Sequence, residues 1–143
     1  MAGSNGYWNY RHQADVYHAY HTLLKEGMPA ENIIVFAYDD IADNSQNPFK
    51  GKVFNHPDGE DVYAGVKIDY TGRDVTPENF LAVIQGQADK VSGVGTGRVL
   101  KSTKDDYVFI NFSDHGAPGL IAFPHSYLYA DKFNAAVKNM HSQ

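Results

Sequence analysis

Three observations predict an α/β fold, a mostly parallel sheet with helices on both faces. Apolar residues recur at helical spacing in separate stretches, short strand-like apolar runs fall between them, and Gly/Pro-bearing segments divide the two. The 143 residues, 43% hydrophobic and 20% charged, suffice for a core and read as one domain over residues 1–143.

In chain order, Val16, Ala19, Tyr20, Leu23 and Leu24 form the i, i+3, i+4 stripe of a helix over residues 10–26, which Gly27 and Pro29 stop. Ile33-Ile34-Val35-Phe36-Ala37 reads as a buried strand ending at Tyr38-Asp39-Asp40. Residues 43–61 carry Asn47-Pro48, Pro57 and Asp58-Gly59 and predict a loop. Val66–Tyr70 alternates weakly, as a short strand does. Thr76-Pro77 has the signature of a helix start, N-cap then proline at the first helical position, with Phe80, Leu81 and Ile84 as its apolar side. Gly93-Val94-Gly95-Thr96-Gly97 predicts a flexible connector, and it lacks the Gly-Lys-Ser/Thr ending of a phosphate loop. Tyr107–Phe112 is the clearest strand signal, Leu120–Phe123 a shorter one. A last helix from about Ala130 carries Phe133, Ala136, Val137 and Met140.

A formal net charge of −5 argues against a basic face for nucleic acid. No run of 18 apolar residues is present, so no membrane span is predicted. Met1 is followed at once by the turn-like Ala2-Gly3-Ser4-Asn5-Gly6, which does not read as a secretory leader. Protonating all seven histidines would carry the formal charge from −5 to +2, a composition suited to an acidic compartment without specifying one.

In parallel sheets, ligands meet the carboxyl ends of strands, and two polar clusters occupy such places. One is Ser113-Asp114-His115-Gly116, directly after the run ending at Phe112; the other is Gly3–His12, leading into the first helix. A histidine on a Gly-rich loop suits a general base, because glycine lets backbone N–H groups approach a developing oxyanion. The plain alternative is a turn residue. Arg11 and His12 could equally begin a helix with an ordinary ion pair. Asp15, His18 and His21 stand at i, i+3 and i+6 of the same helix, a spacing that metal ligands share with a solvated face; the solvated face is the reading preferred, and no metal or cofactor is expected. The chain has no cysteine, so the usual thiolate partner of such a histidine is not in this polypeptide. Either the chain is something other than a cysteine hydrolase, or it is an amino-terminal piece of one.

Several blocks then carry a resemblance: Ala2-Gly3-Ser4-Asn5-Gly6, Asn9–Asp15, Tyr38–Ala42, Asn47-Pro48, Asp69–Gly72, Asp74–Leu81 and Asp114-His115-Gly116. In colinear order over nearly the whole chain, they resemble the legumain family of asparaginyl endopeptidases. Residues 114–124 look most like its haemoglobin-digesting members. Glycolipid-anchor transamidases share an Asn-Tyr-Arg-His-like run and rank second, since they usually lack the aspartate before the histidine.

The resemblance implies a caspase-like fold, here incomplete at both ends: short of a first core strand and of the nucleophile-bearing segment. It makes His115 the general base of a Cys-His dyad, Gly116 an oxyanion donor through its backbone N–H, and Asn9 the support of the histidine. Asp114 matches an aspartate linked with succinimide formation and ligation, and Arg11 and His12 match part of the pocket for a substrate asparagine. It also implies protein or peptide substrates, cystatin-type inhibitors as partners, and a lysosomal, vacuolar or secreted acidic setting. A noncatalytic truncated relative that binds asparagine-containing peptides is the reading from a different class.

Overall fold

The computed structural model describes residues 1–142. Its architecture is mixed helix and sheet: helix α1 (Tyr10–Lys25), helix α2 (Pro77–Ile84), strands β1 (Gly116–Ala117), β2 (Leu120–Phe123) and β3 (Ser126–Tyr129), and helix α3 (Ala130–His141). Short 3-10 turns at Tyr7–Asn9, Ala30–Asn32, Gly72–Asp74 and Ala88–Val91 punctuate the connections. The three helices lie where periodicity and punctuation put them. Thr76 caps α2 as its residue type predicts, its hydroxyl accepting from Asn79 N at 3.1 Å, with Pro77 first in the helix.

Among the described residues, the one multi-residue sheet is an antiparallel meander, β1-β2-β3, in which Gly116 faces Ile121 and Phe123 faces Ser126. Ala117-Pro118-Gly119-Leu120 turns β1 into β2 with proline second and Gly119 third at φ 78°, the left-handed value a type II turn needs there. Around it, the segments expected to be strands meet in single parallel bridges: Ala2 with Ser113 and Phe36 with Tyr70. Ala2 N donates to Phe36 O at 2.8 Å, while Ser113 N donates to Met1 O at 3.0 Å and Gly3 N to Ser113 O at 3.1 Å. Met1–Gly3 therefore lies between the Phe36 and Ser113 segments.

Two apolar clusters flank this layer. Val35 and Ala37 pack with Ala14, Val16, Tyr17 and Tyr20 of α1. Phe36, pointing the other way as strand alternation requires, packs with Phe80 and Val83 of α2 and with Phe123, Leu128 and Ala136. The same extended segment is thus covered on both faces.

Tyr107–Phe112 differs from its expected form. Ile110 and Phe112 pack against the second cluster, but Tyr107 and Phe109 are exposed and no ladder forms there. Apolar content makes a segment capable of pairing; a strand also needs a neighbour to accept its backbone groups. Among the described residues, only the end near Ser113 has one, through Met1 and Gly3.

Candidate active site

The two polar clusters predicted from sequence come together. The loop after Phe112 lies against the start of α1, and His12 and His115 meet edge to face with ring centroids 4.8 Å apart. Gly3 makes this approach possible. A Cβ there would lie 2.7 Å from both the Ala122 carbonyl oxygen and Asp114 Oδ2, so only glycine lets Asp114 and β2 sit this close to the Met1–Gly3 backbone.

Asn9 occupies the residue before α1, yet its side chain does not cap the helix. Its Nδ2 donates to Asn5 O at 3.0 Å, which leaves Oδ1 to accept from His115 Nε2 at 2.9 Å. An amide oxygen can only accept, so His115 carries a proton on Nε2, and in the neutral ring the lone pair then lies on Nδ1. His115 itself is exposed.

Gly116 follows directly in β1. Ala122 N donates to His115 O at 3.0 Å, making His115 and Ala122 a hydrogen-bonded pair. Antiparallel pairs alternate, so Gly116 opposite Ile121 is of the open type and its N–H points away from β2. That leaves the donor directed outward, one residue from His115.

The buried side of the site is different. His12 Nδ1 lies 2.7 Å from Ser4 Oγ and 3.2 Å from Asp114 Oδ1, and the Asp114 side chain is 1% exposed. Asp114 Oδ1 lacks a hydrogen-bond partner. Burial raises the Asp114 pKa above the ordinary carboxylate value, only partly offset by the His115 backbone N–H and by His12. Burial likewise lowers that of His12, with Arg11 adding to the effect. Both shifts favour the uncharged forms. A Ser-His-Asp triad is excluded by geometry, because Ser4 and Asp114 both meet the same nitrogen of His12, whereas a triad uses opposite sides of the ring.

Arg11 is exposed, its guanidinium making one long contact to Trp8 O at 3.4 Å, beside the 92% exposed Trp8 indole. Its guanidinium reaches solvent, whereas the His12 ring is buried. Asp15 is not gathered with His18 and His21; instead it accepts from Ser113 Oγ at 3.0 Å and from Asn55 Nδ2 at 2.9 Å, fastening α1 to the loop that carries Asp114.

Sequence reasoning places Gly3 and Ser4 in a candidate cluster without assigning either a role, and it does not find the support beneath the site. Asp40 accepts from Gly6 N at 2.6 Å and from Gln13 Nε2 at 2.8 Å, and Gln13 in turn receives the Tyr17 hydroxyl at 3.1 Å. The block Tyr38-Asp39-Asp40 at the end of a strand-like run was the available signal. A concave surface lined by Tyr7, Tyr10, Phe49 and Phe54 includes none of His12, Asp114 or His115.

The chain is similar to known proteins over nearly its whole length. The chain is 55% identical to legumain of Mus musculus over 141 residues, 99% of this chain and 32% of that protein. It is 56% identical to legumain of Canavalia ensiformis over 143 residues, 99% of this chain and 30% of the relative. A vacuolar-processing enzyme of Citrus sinensis is 54% identical, also over 99% of this chain and 29% of the relative. The chain thus spans about a third of the length of the curated relatives it matches. The profile of the peptidase C13 family matches residues 1–143, and the chain belongs to that family.

Proposed function

We propose that this chain is the histidine-bearing, amino-terminal part of a legumain-type cysteine endopeptidase that cleaves on the carboxyl side of asparagine. One observation carries the reading: Asn9 fixes His115 with a proton on Nε2 and a lone pair on Nδ1, beside an outward-directed Gly116 N–H. A base and an oxyanion donor are thereby placed one residue apart, as acyl transfer requires. The parallel bridges at Ala2 and Phe36, with clusters on both faces, support a caspase-like parallel sheet as the intact architecture.

In that reading a cysteine elsewhere in the protein supplies the thiolate, since this sequence holds none. The thiolate attacks the carbonyl carbon after asparagine, His115 Nδ1 takes the thiol proton and returns it to the leaving amine, and the Gly116 N–H stabilises the tetrahedral oxyanion. Arg11, exposed in the first turn of α1, meets the substrate asparagine side chain; His12 backs it from the buried side. Asp114, whose burial favours its uncharged form, is the group linked with ligation. The chain alone lacks a nucleophile and should not turn over. Substrates are proteins or peptides, cystatin-type inhibitors are expected partners, and an acidic lysosomal or vacuolar setting follows from the same reading; no described helix is long and apolar enough to cross a membrane.

The test is His115→Ala in a protein that also carries the cysteine-bearing segment. Peptide cleavage after asparagine should fall by about 10²–10⁴-fold, the range of general base catalysis, with the fold intact because the ring is exposed. His18→Ala, exposed on α1, should leave the rate unchanged. Full activity of a folded His115→Ala protein would remove His115 as the base.

A further inference from the structure

We propose that His12, Asp114 and His115 together form a binding site for a divalent transition-metal ion of zinc type. One donor atom from each residue lies within 4.8 Å of the others. The set of two imidazoles and one carboxylate is one that zinc takes readily, three protein ligands leaving the fourth place of a tetrahedron to water.

A second observation points to a cation independently of the clustering. Asp114 Oδ1 is a buried carboxylate oxygen without a hydrogen-bond partner, on a side chain only 1% exposed, and it lies 3.2 Å from His12 Nδ1. An unsatisfied buried acceptor is rare and costly, and a metal ion would satisfy it. Ligand atoms of a tetrahedral zinc site lie roughly 3.4 Å apart, which follows from its bond lengths, so the His12–Asp114 pair already has the spacing of two ligands, and the ion would replace the Ser4 hydroxyl that meets His12 Nδ1 at 2.7 Å. His115 must supply the closing movement, and it is the exposed member. Its support is of the kind ligating histidines use: Asn9 Oδ1 accepts the Nε2 proton at 2.9 Å, orienting the ring and leaving the other nitrogen's lone pair for the ion.

Binding does not depend on the peptidase reading. Its consequence does: an ion held on the His115 lone pair would occupy the base and silence a thiol-histidine dyad. The two can be tested apart, because this chain has no cysteine and no thiolate can contribute to metal binding. Zinc chloride is titrated calorimetrically into the 143-residue chain, with cobalt(II) as a spectroscopic probe of coordination geometry. The expected result is one saturable site per chain and a tetrahedral cobalt spectrum. Asp114→Ala and His115→Ala should each weaken zinc by about 100-fold or more, the upper range already seen for outer partners. Asn9→Ala should weaken it by about 10-fold, and His18→Ala should not change it. His115 is exposed, so its variant keeps the fold and the comparison stands even where Asp114→Ala does not fold. No saturable binding, or equal affinity in His115→Ala, would overturn the site. Loss of binding in an otherwise active peptidase would overturn it without touching the proposed function.

Discussion

The two sides of the site are built on different physics. Ser4, His12 and Asp114 form a buried side, where position is enforced by close packing against Gly3 and β2 and where burial favours uncharged groups. Half-buried Asn9 and exposed Arg11, His115 and Gly116 form an open side, where the side chains are held by one or two hydrogen bonds each. The buried side has little freedom to change without disturbing the fold. The open side holds little of the core and is where chemistry can be altered at small structural cost.

That contrast can be broken first at Gly3. Gly3→Ala puts a methyl 2.7 Å from a backbone carbonyl and from Asp114 Oδ2. Overpacking of this kind costs about 1–3 kcal/mol, and rigid backbone on one side puts this variant at the upper end. A chemical denaturation series should show the loss in midpoint with an unchanged slope; unaltered stability would mean the two segments separate freely. On the open side, Arg11→Ala should leave the melting temperature within error while cleavage after asparagine drops. Loss of a charge-assisted hydrogen bond is worth about 1.5–3 kcal/mol, or about 10–100-fold in kcat/KM. A variant that loses stability instead would place Arg11 on the structural side.

The smallest effect lies beneath the buried side, at Tyr63. Its hydroxyl donates to Asp39 Oδ1 at 2.8 Å, and burial followed by that carboxylate pushes its pKa up to about 12. The unfolded phenol loses its proton near pH 10, so between there and about 12 the native state binds more protons. The stabilising contribution is therefore complete below pH 10 and is lost as pH rises through 12. Tyr63→Phe should flatten the stability profile over that interval in melts followed by circular dichroism. A variant profile as steep as the original would assign the slope to other tyrosines.

Much of this was legible locally. α1, α2 and α3 follow from apolar spacing and from signals such as Thr76-Pro77, because a helix satisfies its hydrogen bonds within itself. His115 stood out by its place on a loop between an apolar run and glycines. The β1–β2 hairpin carries the type II turn sequence Ala117-Pro118-Gly119-Leu120, a local signal for the hairpin that the sequence reading does not use. Tyr107–Phe112 had the composition of a strand, but composition cannot supply the neighbour that pairing requires.

By itself, the sequence determined the helices, the family blocks and the residue types able to act as base, donor and pocket. Which of them meet was decided in three dimensions. Asp114 and His12 are separated by about a hundred positions, yet they share a buried contact because Gly3 has no side chain to keep the loop away. The tautomer of His115 rests likewise on Asn9, whose amide is oriented by Asn5 and not by any feature of the histidine's own segment. Periodicity acts over a few residues, whereas burial and hydrogen-bond satisfaction act across whatever the fold brings within a few ångströms, and that is where this site is made.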